Sequence, residues 1–220
     1  MRKLSLVAAL VVLMGLVPAI VASAEPNGRF KAKPFEFVGA AGDCGAGSPA
    51  GEDTVEAEWV THEGLPDAGQ SDHALFLQKL GATPNCASAG AKIKKVTGIT
   101  LSELGYDVRD GGHCGAGAPR FNVVMSNDGL HFVGCAAGPA TGVLADSQGN
   151  TWTRKRWTAA DLANPALASP PITAASGTVV SLSIVFDEGT DTGPDFTGEA
   201  FLDNIDVNGT LIGKPGLAKP

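Results

Sequence analysis

Residues 187–195 read Asp187-Glu188-Gly189-Thr190-Asp191-Thr192-Gly193-Pro194-Asp195, four carboxylates on a segment whose glycines let the backbone fold back. Calcium takes about six to eight oxygen ligands, several of them carboxylates, on a chain able to wrap it. Asp203 follows in an apolar alternating stretch and shares the parity of Phe201, Ile205 and Val207, so it is expected to point inward. An inward carboxylate needs a cation or several hydrogen-bond donors. Asp187, Asp191 and Asp203 are therefore the candidate ligands of a structural calcium. The spacing is not that of an EF-hand. The competing reading is a solvated acidic loop, with Asp203 accepting backbone hydrogen bonds at a bulge.

A second constellation joins aromatics to cations. Trp152 and Trp157 flank Arg154, Lys155 and Arg156, and in a regular strand Trp152, Arg154 and Arg156 share one face. A flat aromatic beside cations suits a sugar ring or a cation–π pair. Trp152, Arg154, Tyr106 and Arg120 form the candidate ligand-binding set, for a glycan or another cell-surface polymer. Core packing is the alternative, and it is the expectation for Trp59 and Trp157. Three Trp and one Tyr are few for an avid glycan binder.

Catalytic patterns are missing from the sequence. There is no Gly-x-Ser-x-Gly elbow. His62-Glu63 lacks the second histidine of a metalloprotease helix. Ser71-Asp72-His73 is contiguous, and Glu56 with Glu58 suits a solvent-facing row. Three readings can be told apart by structure. An exposed Trp152 or Tyr106 on a concave sheet favours glycan binding. Buried tryptophans under a flat polar surface favour a structural or interaction domain. A deep cleft with two carboxylates about 5–10 Å apart favours a hydrolase.

The cysteines are Cys44, Cys86, Cys114 and Cys135. An even count favours two disulfides outside the cytosol. Gly42-Asp43-Cys44-Gly45-Ala46-Gly47-Ser48-Pro49 resembles Gly112-His113-Cys114-Gly115-Ala116-Gly117-Ala118-Pro119. If these loops are equivalent, each cysteine pairs with the next along the chain, giving Cys44–Cys86 and Cys114–Cys135. Zinc is the alternative, but no closely spaced ligand pair is present.

These residues need elements to hold them, and the dominant period is two. Val55, Ala57 and Trp59 alternate with Thr54, Glu56 and Glu58. Strands are further predicted over 74–80, 91–97, 100–108, 150–157, 178–187, 199–207 and 210–213. Arg120 to Met125 and Leu130 to Cys135 form a hairpin about Ser126-Asn127-Asp128-Gly129. Asn208-Gly209 turns the last pair. One short helix is expected at Thr158 to Leu162, capped by Thr158 with Asp161 and stopped by Pro165. Residues 32–34 and the tail after Gly213 read as loose ends. With one apolar face per strand, two antiparallel sheets packed face to face are expected, an all-β sandwich of jelly-roll type.

Leu104-Gly105-Tyr106-Asp107-Val108-Arg109, the Cys-Gly-Ala-Gly loop leading to Arg120-Phe121-Asn122-Val123, and Phe201-Leu202-Asp203-Asn204-Ile205-Asp206-Val207 resemble strands of secreted bacterial jelly-roll modules. The last is similar to the closing strand of many carbohydrate-binding modules. The resemblance covers about residues 100–213, and implies a sugar ligand and a structural calcium near an Asp such as Asp203.

Composition sets the outer limits. The chain has 220 residues, 44% hydrophobic and 18% charged, enough apolar content for a core. Its formal charge of −7 argues against a nucleic-acid partner. Arg2 and Lys3, the apolar run to Val17 and Ala22-Ser23-Ala24 read as a secretory signal over 1–24. The expected organisation is that leader, one domain over 25–213, and a flexible tail over 214–220. The protein is expected to be secreted and, after cleavage, not inserted in a membrane.

Overall fold

Alternating sequence becomes strand nearly everywhere, and the computed structural model of the protein describes residues 30–52, 54–67, 72–190 and 195–213. In chain order the strands are β1 (Lys31–Val38), β2 (Val55–Val60), β3 (Ala74–Lys79), β4 (Ala87–Lys94), β5 (Glu103–Arg109) and β6 (Arg120–Met125). They continue as β7 (Gly129–Gly134), β8 (Ala140–Ala145), β9 (Thr151–Thr158), β10 (Val179–Phe186), β11 (Glu199–Val207) and β12 (Thr210–Ile212). The expected leader, the tail over 214–220, Ser71 and Asp191 lie outside the described residues.

Two antiparallel sheets result. The smaller has the order β1-β4-β10-β6-β7, and the larger β2-β3-β11-β5-β9-β8 with β12 beside β11. The chain changes sheet between β1 and β2, β3 and β4, β4 and β5, β5 and β6, β7 and β8, β9 and β10, and β10 and β11. This is the sandwich that the patterning predicts, with jelly-roll-like crossing. Between the sheets, Tyr106, Phe121 and Trp157 meet with ring centroids 5.3–5.9 Å apart. Leu75, Leu77, Ile184, Leu202 and Val207 surround them, all buried. Trp59 is half-buried against this core, as expected, and donates its indole N–H to the Ala32 carbonyl at 3.2 Å.

The local expectations hold at the turns. Gly129 closes the β6–β7 hairpin at φ +88°, and Asn208 and Gly209 carry positive φ between β11 and β12. The helix α1 (Ala159–Leu162) has the Thr158/Asp161 capping box. Both disulfides pair as the repeated loops suggested, Cys44–Cys86 and Cys114–Cys135, with no free cysteine among the described residues. In the chain-entropy view each stabilises by about 3–4 kcal/mol.

Two segments differ from expectation. Residues 32–34 belong to β1, whose eight residues pair in full register with β4. An edge strand tolerates Pro34, because nothing beyond it needs the missing N–H. The exposed strand β8 carries no legible alternation in Ala140-Thr141-Gly142-Val143 and forms because β9 offers it an edge.

Candidate functional site

On β5, Leu104, Tyr106 and Val108 face the core, while Gly105, Asp107 and Arg109 face outward on the larger sheet. β9 pairs Arg154 with Asp107 and Trp152 with Arg109, so Trp152, Arg154 and Arg156 do share the outer face. Trp152 is nevertheless 0% exposed. Leu65, Ala74, Val60, Leu144 and Phe201 cover it, forming a second apolar cluster outside the sandwich. Its indole N–H donates to Asp146 Oδ2 at 3.0 Å. The expectation of an open platform at Trp152 is corrected accordingly.

Tyr106 is corrected for a different reason. Its parity turns it into the core, also at 0% exposure, where its hydroxyl donates to the Pro119 carbonyl at 3.0 Å. Burial pushes its phenol far above the ordinary value.

The two arginines of the expected set are held by carboxylates. Arg154 donates from Nε and Nη2 to the two oxygens of Asp107 at 2.9 and 3.0 Å. That pairing raises Arg154 above its usual value. Asp107 is 0% exposed, also accepts from Asn204 Nδ2 at 2.9 Å, and has Arg156 Nη1 at 3.4 Å. Arg156 also reaches Asp206 at 3.4 Å, and burial lowers the guanidinium while raising Asp206. Arg120 lies on the other sheet and grips Asp187 in a fork, at 2.5 and 2.7 Å. The four expected ligand-binding residues therefore occupy three separate surroundings.

The expected calcium ligands also separate. Asp187 is engaged by Arg120, and its carbonyl accepts from Lys79 Nζ at 2.7 Å. Asp203 accepts from the backbone N–H groups of Leu65 and Asn204 at 2.8 and 2.6 Å. Asn204, at φ +44°, is a bulge between the pairs Asp203–Asp107 and Asp206–Gly105. It reverses parity, so Asp203 faces outward while Ile205 and Val207 face the core. This is the bulge alternative of the sequence reading. Glu188 and Asp195 flank His113 Nε2 and Nδ1, the latter at 2.9 Å. Among the described residues no three His, Cys, Asp or Glu side chains converge as a metal site. Asp187 and Asp203, spoken for by a guanidinium and by backbone donors, do not fit calcium as a shared pair.

One concavity on this side brings together residues that the sequence patterns did not assign to a site. Glu63, Arg109, Gln148, Asn150, Glu199 and Phe201 line a depression of about 420 Å3 where β5 ends and β11 begins. The Arg109 guanidinium lies 3.3 Å above the Phe201 ring, and Phe201 in turn lies 4.8 Å from Phe76. Nη1 of Arg109 donates to Glu63 Oε2 at 2.7 Å. The remaining guanidinium donors have no partner among the described residues. A guanidinium carries five N–H groups, so several stay available. The legible signal was Phe201 itself, an aromatic on the polar face between inward Ala200 and Leu202.

Among the described residues no helix is long and apolar enough to cross a membrane, and the two disulfides fit an oxidising compartment. The chain matches no protein-family model, no curated protein and no solved structure.

Proposed function

We propose that this is a secreted, non-catalytic binding module for a glycan or related cell-surface polymer, taken up at the Arg109 depression. The carrying observation is Arg109, stacked on Phe201 and tied to Glu63 through one nitrogen only. A preset, partly unpaired guanidinium amid Glu, Gln and Asn side chains suits a hydroxyl-rich ligand. The buried carboxylates speak for binding over hydrolysis. Asp107 and Asp203 are cross-strand partners, yet they are 0% and 1% exposed and already hydrogen-bonded. Glycosidase carboxylates must flank a sugar bond.

A second reading, an interaction domain with no small ligand, is favoured by the burial of Trp152 and Tyr106. A glycan array probed with the wild-type chain and with Arg109→Ala decides between them. Binding that Arg109→Ala abolishes supports the depression. Silence across the array supports the interaction domain, and binding indifferent to the substitution rules out the depression as the site.

A further inference from the structure

The positive charge of this acidic protein is sharply segregated. Lys79 donates to backbone carbonyls, and Lys155 donates to the Gly138 carbonyl. Arg109, Arg120, Arg154 and Arg156 are all paired with carboxylates. The other five cations among the described residues, Lys31, Lys33, Lys92, Lys94 and Lys95, are exposed and belong to no ion pair there. All five lie at one corner of the smaller sheet.

Their register is unfavourable by itself. Lys31 stands opposite Lys94, and Lys33 opposite Lys92, on the outward face of the β1–β4 pair. Like charges directly opposite destabilise a sheet. Lys95, just past the end of β4, has φ +69°, in the left-handed region that favours glycine. Edge protection accounts for lysines on β1. It does not account for Lys92 and Lys94, because β4 is an interior strand hydrogen-bonded to both β1 and β10. A groove of about 360 Å3 runs beside them, lined by Lys92, Lys94, Lys95, Thr97, Ser181 and Ser183. The half-buried Phe35 ring lies across Gly90, with Lys92 Nζ 5.5 Å from its centroid.

We infer that this face binds an acidic polysaccharide, a chain of sugar rings bearing carboxylates. The lysines form a ladder, about 6.6–6.8 Å between same-face positions along a strand. Carboxylates repeating along a sugar chain neutralise such a ladder. The flanking hydroxyls of Ser181, Ser183 and Thr97 meet sugar hydroxyls, and the Phe35 ring offers an apolar face. A nucleic acid carries a much denser charge, which the overall −7 opposes. A membrane calls for an apolar face that inserts below the headgroups, whereas Ser183 stands opposite Lys92 and Ser181 and Thr97 line the same groove. This site is on the opposite sheet from the Arg109 depression and does not depend on it.

The test uses the full chain in affinity electrophoresis through polygalacturonate, with dextran as the neutral control. The wild type is expected to be retarded by polygalacturonate only, and released at roughly 0.5 M salt, where the Debye length is a few Å. Lys92→Gln/Lys94→Gln is expected to weaken retardation about ten-fold, with a melting temperature equal to or above that of the wild type. Arg109→Ala is expected to be retarded normally, which separates failure here from failure of the depression. No retardation of the wild type overturns the inference, as does retardation unchanged in the lysine variant. Tighter binding to phosphatidylserine vesicles or single-stranded DNA overturns it in favour of a lipid surface or a nucleic acid.

Discussion

Trp152 donates its indole N–H to Oδ2 of Asp146, six residues earlier, across the turn between β8 and β9. The same carboxylate accepts the backbone N–H groups of Gln148 and Asn150, each at 2.9 Å, and Asn150 Nδ2 at 2.8 Å. Burial raises this acid, but the hydrogen bonds from Trp152 and Asn150 outweigh it and leave the group below its ordinary value. Trp152 is thus the lid of a turn and the centre of the outer apolar cluster. Trp152→Phe keeps most of the packing and loses the donor, so it is expected to cost about 1–2 kcal/mol. Trp152→Ala is expected to cost about 3–5 kcal/mol. Urea denaturation of both variants checks this. A Phe variant as stable as the wild type would show that the indole bond contributes nothing.

Asp203 predicts a dependence on pH. Burial pushes it up to about 8 from 3.8, with the Asp67 and Asp107 carboxylates adding to the rise and the Asn204 and Leu65 N–H groups opposing it. A folded-state value above the unfolded one means that the folded chain holds the proton more tightly. Its contribution is fully present below about pH 4 and is lost as pH rises to about 8. Asp206 shifts in the same direction, again chiefly by burial. The loss is expected to be on the order of a few kcal/mol for Asp203. Asp203→Asn cannot ionise, so its stability is expected to vary less than that of the wild type between pH 4 and 8. Chemical denaturation across that range measures it, and parallel wild-type and variant profiles would refute it.

Side-chain alternation made the sandwich legible, because each strand must hide one face. Repetition of the Cys-Gly-Ala-Gly loop made the disulfide pairing legible. The site was less so, for two reasons visible in particular residues. Alternation put Trp152, Arg154 and Arg156 on one face, as found, but it says nothing of a loop folding over that face, as Leu65 does. The parity argument for Asp203 failed at Asn204, where one bulged residue inverts every side chain beyond it. Arg109 and Glu63 are 46 residues apart, a contact that no local pattern encodes.

Lys79 follows the inward parity of Leu75 and Leu77, and an ammonium there is 0% exposed. It survives because Nζ donates to the carbonyls of Thr83, Asn85 and Asp187 at 3.0, 3.1 and 2.7 Å. These carbonyls come from the turn before Cys86 and the exit of β10, so one side chain ties the disulfide-bearing loop to the acidic loop. A cation of the chain's own thus stands beside Asp187, while Arg120 holds the carboxylate. Lys79→Met keeps much of the volume and strands these acceptors, each worth about 1–3 kcal/mol when buried unpaired. The expected loss is at least about 3 kcal/mol, read by calorimetry as a lowered melting temperature. The wild type is expected to melt at the same temperature with and without a calcium chelator, since Lys79 and Arg120 supply the charge that Asp187 needs. A chelator-induced drop would show that a metal ion, in addition to Lys79, holds the acidic loop.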